Sequence, residues 1–158
     1  IHQCAIIVAN QSHRFVKGID GLNRPTNSFL YDLYTAVQTP SVPDQVFIAQ
    51  AKVIKEAASR ESCVIVGRCS DYVLGDRENC LKVFIHADMK FRADRIVRVY
   101  GEREKSPEAR LKEKDKRRTA YYRFYTDMNW GNAANYHIAL DSGVIGIEKS
   151  AKVIESLA

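Results

Sequence analysis

Residues 62–74 read SCVIVGRCSDYVL, in which four apolar residues, Cys63 to Val66, stop abruptly at Gly67 and the cation Arg68. A short apolar run closed by glycine fits a strand buried on both faces, because a half-exposed strand would alternate with polar residues. Upstream, QVFIAQAKVIKEAASR repeats Phe47, Ala51, Ile54 and Ala58 at helical spacing, with Asp44 in position to cap the helix. Downstream, LKVFIHA from Leu81 is a second run rich in branched and aromatic residues. Asp88 then caps a helix through about Tyr100, closed by Gly101, and Ser106-Pro107 opens another that runs towards Tyr125. YHIAL from Tyr136 is a third strand, and GIEKSAKVIESLA a terminal helix. Helices alternating with short apolar strands imply an α/β domain whose mostly parallel sheet is flanked by helices.

The beginning is less defined. CAIIVAN has the composition of a buried strand, yet Ile6, Ile7 and Val8 are too few to exclude a helical segment. Pro25 to Val37 contains a short helical pattern, NSFLYDLYTAV, ended by turns at Pro40 and Pro43.

A chain of 158 residues suits one domain with its own core. Its 46% hydrophobic and 27% charged residues give an ordinary globular balance, and no apolar run is long enough to cross a bilayer. Cys4, Cys63, Cys69 and Cys80 have neither zinc spacing nor the density of a secreted disulfide scaffold, which favours reduced thiols and a cytoplasmic protein. The net charge is +5, with Lys and Arg crowded between Lys90 and Arg123, so the expected partner is a localised anion, a nucleotide or a nucleic acid.

In open parallel sheets ligands settle at the carboxyl ends of the strands, and Arg68 stands at one. Its guanidinium offers a fork of donors matched to phosphate or carboxylate oxygens; the competing reading is an ion pair with Asp71 or Asp76 at the sheet edge. The following helix carries Arg92, Arg95 and Arg98 as a drifting cationic stripe, and the next places Lys114, Asp115, Arg117 and Arg118 together. Two basic helices joined by a short Gly/Pro-containing turn have the makings of a lid. Glu102, Glu104, Glu108, Glu113 and Asp115 interrupt any continuous basic track, which argues against nucleic acid. His86 and His137 have no second ligand at metal spacing, so no metal site is expected from protein side chains. Cys69 has no histidine base nearby in sequence and is not read as a nucleophile. Trp130, Tyr121, Tyr122 and Tyr125 are read as packing residues ahead of base-stacking ones.

The ordered strings GRCSDYVL, CLKVFIHADMKFRADRIV, DKRR and YHIALDSGVIGIEKSAKVI resemble the cytidylate kinase-like branch of the nucleoside monophosphate kinases. PTNSFLY at Pro25 and YYRFYTDMNWGNAANYH at Tyr121 belong to the same likeness, which runs from about Pro25 to the end. The resemblance implies a three-layer P-loop NTPase fold with an arginine-rich helical lid over about residues 101–131. It also implies transfer of the γ-phosphoryl group of ATP, with Mg2+, to a nucleoside monophosphate such as CMP or dCMP. By position, Arg68 matches the arginine that holds the acceptor phosphate, and Asp115 and Arg118 match the Asp-x-x-Arg pair of the lid. Arg117 is grouped with these two as catalytic. Asp71, Lys114, Arg92 and Arg95 are grouped with Arg68 as substrate-binding, a structural ion-pair role for Arg92 and Arg95 being equally open. Asp141 and Ser142, ending the last strand, are weaker candidates for the base.

Two departures qualify the likeness. Cys69 stands where the better-known cytidylate kinases have an aspartate, and the nearest carboxylate is Asp71, which puts base selectivity in doubt. No Gly-x-x-x-x-Gly-Lys-Ser/Thr loop occurs, and the glycines at 18 and 21 lack the Lys-Ser/Thr that would follow. The resemblance therefore places the P-loop upstream of Ile1 and makes CAIIVAN part of a helix. A catalytically inactive nucleotide-binding or regulatory module of the same fold is the alternative.

Overall fold

The computed structural model describes residues 41–158 apart from residue 76, together with the backbone of residues 4–9. The helix expected over Pro25 to Val37, the glycines at 18 and 21, and Asp76 lie outside the described residues. Four strands form one parallel sheet in the order β2-β1-β3-β4: β1 is Cys4–Ala9, β2 Cys63–Val66, β3 Cys80–His86 and β4 Ile138–Asp141.

The first strand corrects the reading of CAIIVAN as helix. Cys4–Ala9 is central, with Ile7 opposite Val66 of β2 and Ala9 opposite Ile85 of β3. A segment hydrogen-bonded along both edges favours β-branched residues, so the local composition of Ile6, Ile7 and Val8 prevails over the inference drawn from resemblance.

Between β1 and β2 lies α1, Val42–Arg60. Its cap is Ser41, three residues before the expected Asp44: the Ser41 N–H donates to Asp44 Oδ2 at 3.1 Å, and Asp44 occupies the third helical position of a capping box. Pro43 falls in the first turn, where its missing N–H has no intrahelical partner to lose, so it opens the helix instead of breaking the chain before it. A short α2, Ser70–Val73, follows β2. After β3 comes α3, Met89–Tyr100, capped by Asp88, whose Oδ1 accepts from Phe91 N at 2.7 Å, and closed by Gly101 at φ +74°. Next is α4, Pro107–Thr126, with Ser106 as its cap. α5, Ser142–Ile145, and α6, Ile147–Leu157, complete the chain.

Alternation along β3 divides the core in two. Cys80 and Phe84 face a cluster containing Ile54 and Ala58 of α1, while Leu81, Val83 and Ile85 pack with Leu140 of β4 against Ile154 of α6. Helices thus cover both faces of β3, while β2 departs from the expectation of burial on both faces: at the edge of the described sheet it leaves Val64 and Val66 exposed, and the strands' carboxyl ends share one edge. A third, separate cluster joins Ala93 and Ile96 of α3 to Leu111 of α4, so these helices form a hairpin with a small core of its own. No helix among the described residues is long and apolar enough to cross a membrane.

Candidate functional site

The abrupt stop after Val66 is a backbone event. Gly67, Arg68 and Cys69 have φ of +70°, +59° and +55°, three consecutive residues in the left-handed region. No described atom comes within 4 Å of a Cβ built at Gly67, so its glycine serves the backbone angle and not a close approach. Arg68 and Cys69 have no such freedom, and left-handed conformations at ordinary residues cost about 1–3 kcal/mol each, strain that concentrates where proteins bind ligands. The turn is fixed by Ser70 N donating to Gly67 O at 3.2 Å and Val73 N to Cys69 O at 2.8 Å. Its outcome is an exposed Arg68 above the carboxyl edge of the sheet, with Cys69, Ser70 and Asp71 buried beneath it.

Two adjacent tyrosines of α4 meet this turn. The Tyr122 hydroxyl donates to Asp71 Oδ2 at 2.6 Å. The Tyr121 hydroxyl donates to Gln50 Oε1 of α1 at 3.3 Å. Burial pushes the Tyr121 phenol up to about 12, with Cys69 adding to the rise and Arg68 opposing it. Asp71 is 3% exposed, and burial raises its carboxyl above the ordinary range despite the Tyr122 hydrogen bond and Lys82. Burial, then the Asp71 charge, lifts the Cys69 thiol to about 12 against the pull of Arg68, so it stays protonated and is no nucleophile at neutral pH.

About two turns before the tyrosines, Asp115 bridges two arginines. Its Oδ2 accepts from Arg92 Nη2 of α3 at 2.7 Å and its Oδ1 from Arg118 Nη1 at 3.0 Å. The Arg92 side chain is 5% exposed, so its guanidinium is spent on the α3–α4 junction instead of facing solvent. Burial, together with the Arg92 charge, lowers the Arg118 pKa while Asp115 counters both. Arg118 precedes Tyr121 by three residues on α4, a spacing that puts Cβ atoms about 5–6 Å apart on one helix face. The turn that carries Arg68, joined to α4 through Asp71 and Tyr122, and Arg118, held by Asp115, therefore meet on the same helix.

The other candidates are placed elsewhere. Arg117 pairs with Glu113, which also takes Lys105, in an exposed cluster on another side of α4. Lys114 is exposed and Arg95 half-buried, and neither belongs to the Arg92–Asp115–Arg118 bridge. Asp141 caps α5, its Oδ1 accepting from Gly143 N at 2.9 Å and Val144 N at 3.3 Å, and its Oδ2 lies 3.9 Å from His86 Nδ1. Ser142 is 1% exposed and donates to the His86 carbonyl at 3.0 Å. Both tie strand ends together. His137 Nδ1 accepts from Lys82 N at 3.2 Å, as a neutral imidazole does. Among the described residues no group of three or more His, Cys, Asp or Glu side chains is arranged to hold a metal ion. The contact that sequence reading missed is Tyr122 on Asp71, across 51 positions, with no local signal to announce it.

The parallel sheet, the strained turn that exposes an arginine at its carboxyl edge and the basic helical hairpin define an α/β protein with its candidate site at that edge. Among known proteins, the model of the cytidylate kinase-like family matches residues 2–144, and the chain belongs to that family. It is 28% identical over 121 residues to a cytidylate kinase of Methanoculleus marisnigri, an alignment covering 77% of this chain and 64% of that protein. The chain thus spans less than two thirds of that relative's length. The crystal structure of an uncharacterized protein from Eubacterium ventriosum superposes with a TM-score of 0.74 at 20% identity, covering 99% of this chain and 98% of that one, a likeness of fold.

Proposed function

We propose that the protein transfers the γ-phosphoryl group of ATP to a nucleoside monophosphate, with CMP and dCMP the first acceptors to test. The single observation that carries this reading is the left-handed turn that presents Arg68 at the carboxyl edge of the sheet, joined through Asp71 and Tyr122 to α4, the helix that also carries Arg118. Phosphoryl transfer asks for little covalent chemistry from the protein; it needs cations fixed around charge spread over the travelling group. In this reading Arg68 takes the acceptor phosphate, while Arg118 reaches the group in flight and Asp115 aims it. Arg117 and Lys114 line the outer rim, and Arg95 contributes to the positive field around the incoming nucleotides. Asp71 and Arg92 act from behind, holding the turn and the helix pair. Residues 101–131 serve as the lid, and 1–158 as one kinase-like domain of P-loop NTPase architecture. Mg2+ held by the donor's phosphates would supply neutralisation of their charge.

The test is a transfer assay with full-length protein, ATP-Mg2+ and a panel of nucleoside monophosphates. Hydrogen bonds to charged groups contribute about 1.5–3 kcal/mol, so Arg68→Ala is expected to raise the KM of the acceptor about 10–100-fold. The KM of ATP should stay within about twofold, since in this reading no donor contact is lost. Equal losses on both substrates would remove Arg68 from the acceptor site. Nucleotide binding with no transfer to any acceptor would favour the inactive module.

A further inference from the structure

Asp115 is shared unequally between its two cations. Its Oδ2 accepts from Arg92 Nη2 at 2.7 Å and its Oδ1 from Arg118 Nη1 at 3.0 Å, yet the Arg92 side chain is 5% exposed and that of Arg118 29%. Packing alone does not require the inner arginine. Ala93 and Ile96 of α3 already meet Leu111 of α4 in an apolar core, and apolar residues in place of a buried ion pair often hold helices together as well or better. Arg92 also keeps its Nε buried with no hydrogen-bond partner among the described residues, an incomplete arrangement that calls for a use of its charge. That use follows from counting charges. Arg118 with Asp115 alone would be a neutral pair, and a phosphate that drew Arg118 away would leave a partly buried carboxylate unpaired, which is costly. With Arg92 on the other oxygen the three groups carry a net positive charge, and Asp115 stays neutralised when Arg118 turns to an anion.

We propose that Arg92 is a positioning residue, the standing counterion of Asp115 that frees the Arg118 guanidinium to exchange the carboxylate for a phosphate of the bound nucleotide. Its purpose rests on the kinase reading, though the exchange itself needs only a phosphate chain. Asp115 aims Arg118 before the phosphate arrives, and Arg92 covers Asp115 afterwards. The inner arginine never touches the ligand; the outer one does.

The test is a double-mutant cycle on full-length protein, read by calorimetric binding of inorganic tripolyphosphate, which needs no turnover. Arg92→Met is expected to weaken binding about tenfold, the effect of losing one hydrogen bond to a charged group, while Asp115→Asn alone changes it by less than about twofold. The signature lies in the double variant: with no carboxylate left to cover, its affinity should return to within about threefold of wild type. A merely structural Arg92 predicts no regain, because the bond between the helices is missing there too. Absence of regain overturns the proposal, as does a wild type that does not bind tripolyphosphate. So does an additive cycle, in which Asp115→Asn tightens binding by the same factor with and without Arg92, since plain charge then accounts for everything. Should Arg92→Met not fold, Arg92→Gln, which keeps donors for Asp115 and drops the charge, takes its place. A crystal structure of wild type with tripolyphosphate decides the point with no substitution at all: Arg118 nitrogens within about 3 Å of phosphate oxygens, with Arg92 still bonded to Asp115, are expected. Arg92 parted from Asp115, or Arg118 still held by it, overturns the exchange. A wild type that shows the expected cycle yet transfers phosphate to no nucleotide refutes the kinase reading and leaves the exchange standing; normal transfer with an additive cycle does the reverse.

Discussion

Asp115 and Glu113 lie two residues apart on α4, and each carboxylate takes two cations, yet the structure assigns them opposite weights. Around Asp115 the side-chain exposures are 5% for Arg92, 22% for Asp115 and 29% for Arg118. Around Glu113 they are 39% for the carboxylate and 56% for both Lys105 and Arg117. Removing one partner of a buried pair costs about 3–5 kcal/mol, because the charge left behind has lost its water and its counterion. Asp115→Asn keeps one acceptor and the site is partly wet, so the low end, about 3 kcal/mol, is expected. With a urea slope of about 2 kcal/mol/M, the denaturation midpoint should fall by about 1.5 M. Phosphoryl transfer should slow as well, since Arg118 loses the group that aims it. Glu113→Gln should leave the midpoint unchanged within error, and added salt should not separate it from wild type, because water already screens that cluster. Equal midpoints for the two variants would refute the claim that Asp115 joins α3 to α4 through a desolvated charge network.

Two further outcomes follow from burial and backbone angle. Asp71 has a raised carboxyl pKa, so the folded state holds its proton more tightly than the unfolded chain, and the stability this gives is fully present below the ordinary value of 3.8 and lost as pH rises through the raised value. The stability of wild type minus that of Asp71→Asn should therefore fall across that window and flatten above it in urea titrations by pH; a flat difference throughout would contradict the assignment. Gly131 sits at φ +78°, and a Cβ there would lie 3.1 Å from Phe84 Cζ, a ring already packed 5.0 Å from Tyr136 and 5.7 Å from Trp130. Gly131→Ala should cost at least about 1–2 kcal/mol from the left-handed angle alone, and an unchanged melting temperature would show that the turn relaxes.

The elements legible in the sequence were those with local punctuation. Asp88 and Gly101 bracket α3, Ser106-Pro107 opens α4, and the apolar runs read from Cys63, Leu81 and Tyr136 are strands that begin at Cys63, Cys80 and Ile138, each set by residues within a few positions of its ends. At Ser41 the signal was local but misassigned: Pro43 looks like a breaker until it is placed in the first turn, where it is compatible with the helix and moves the cap from Asp44 to Ser41. Cys4–Ala9 failed for a different reason, since whether a six-residue apolar run is strand or helix is decided by its neighbours, here β2 on one edge and β3 on the other. The site followed the same division. Gly67-Arg68 at a strand end and the Asp115–Arg118 spacing are visible along the chain, whereas the Asp115 bond to Arg92 spans 23 positions and the Tyr122 bond to Asp71 spans 51, and both exist only once the helices pack.

The most direct test is a crystal structure of the full-length protein bound to a bisubstrate analogue, adenosine and cytidine joined through a chain of phosphates. The account predicts guanidinium nitrogens of Arg68 and Arg118 within about 3 Å of oxygens on that one chain, Arg68 at the cytidine end and Arg118 at the bridging phosphates. Arg68 and Arg118 found in separate clefts, with the chain touching one or neither, would contradict it.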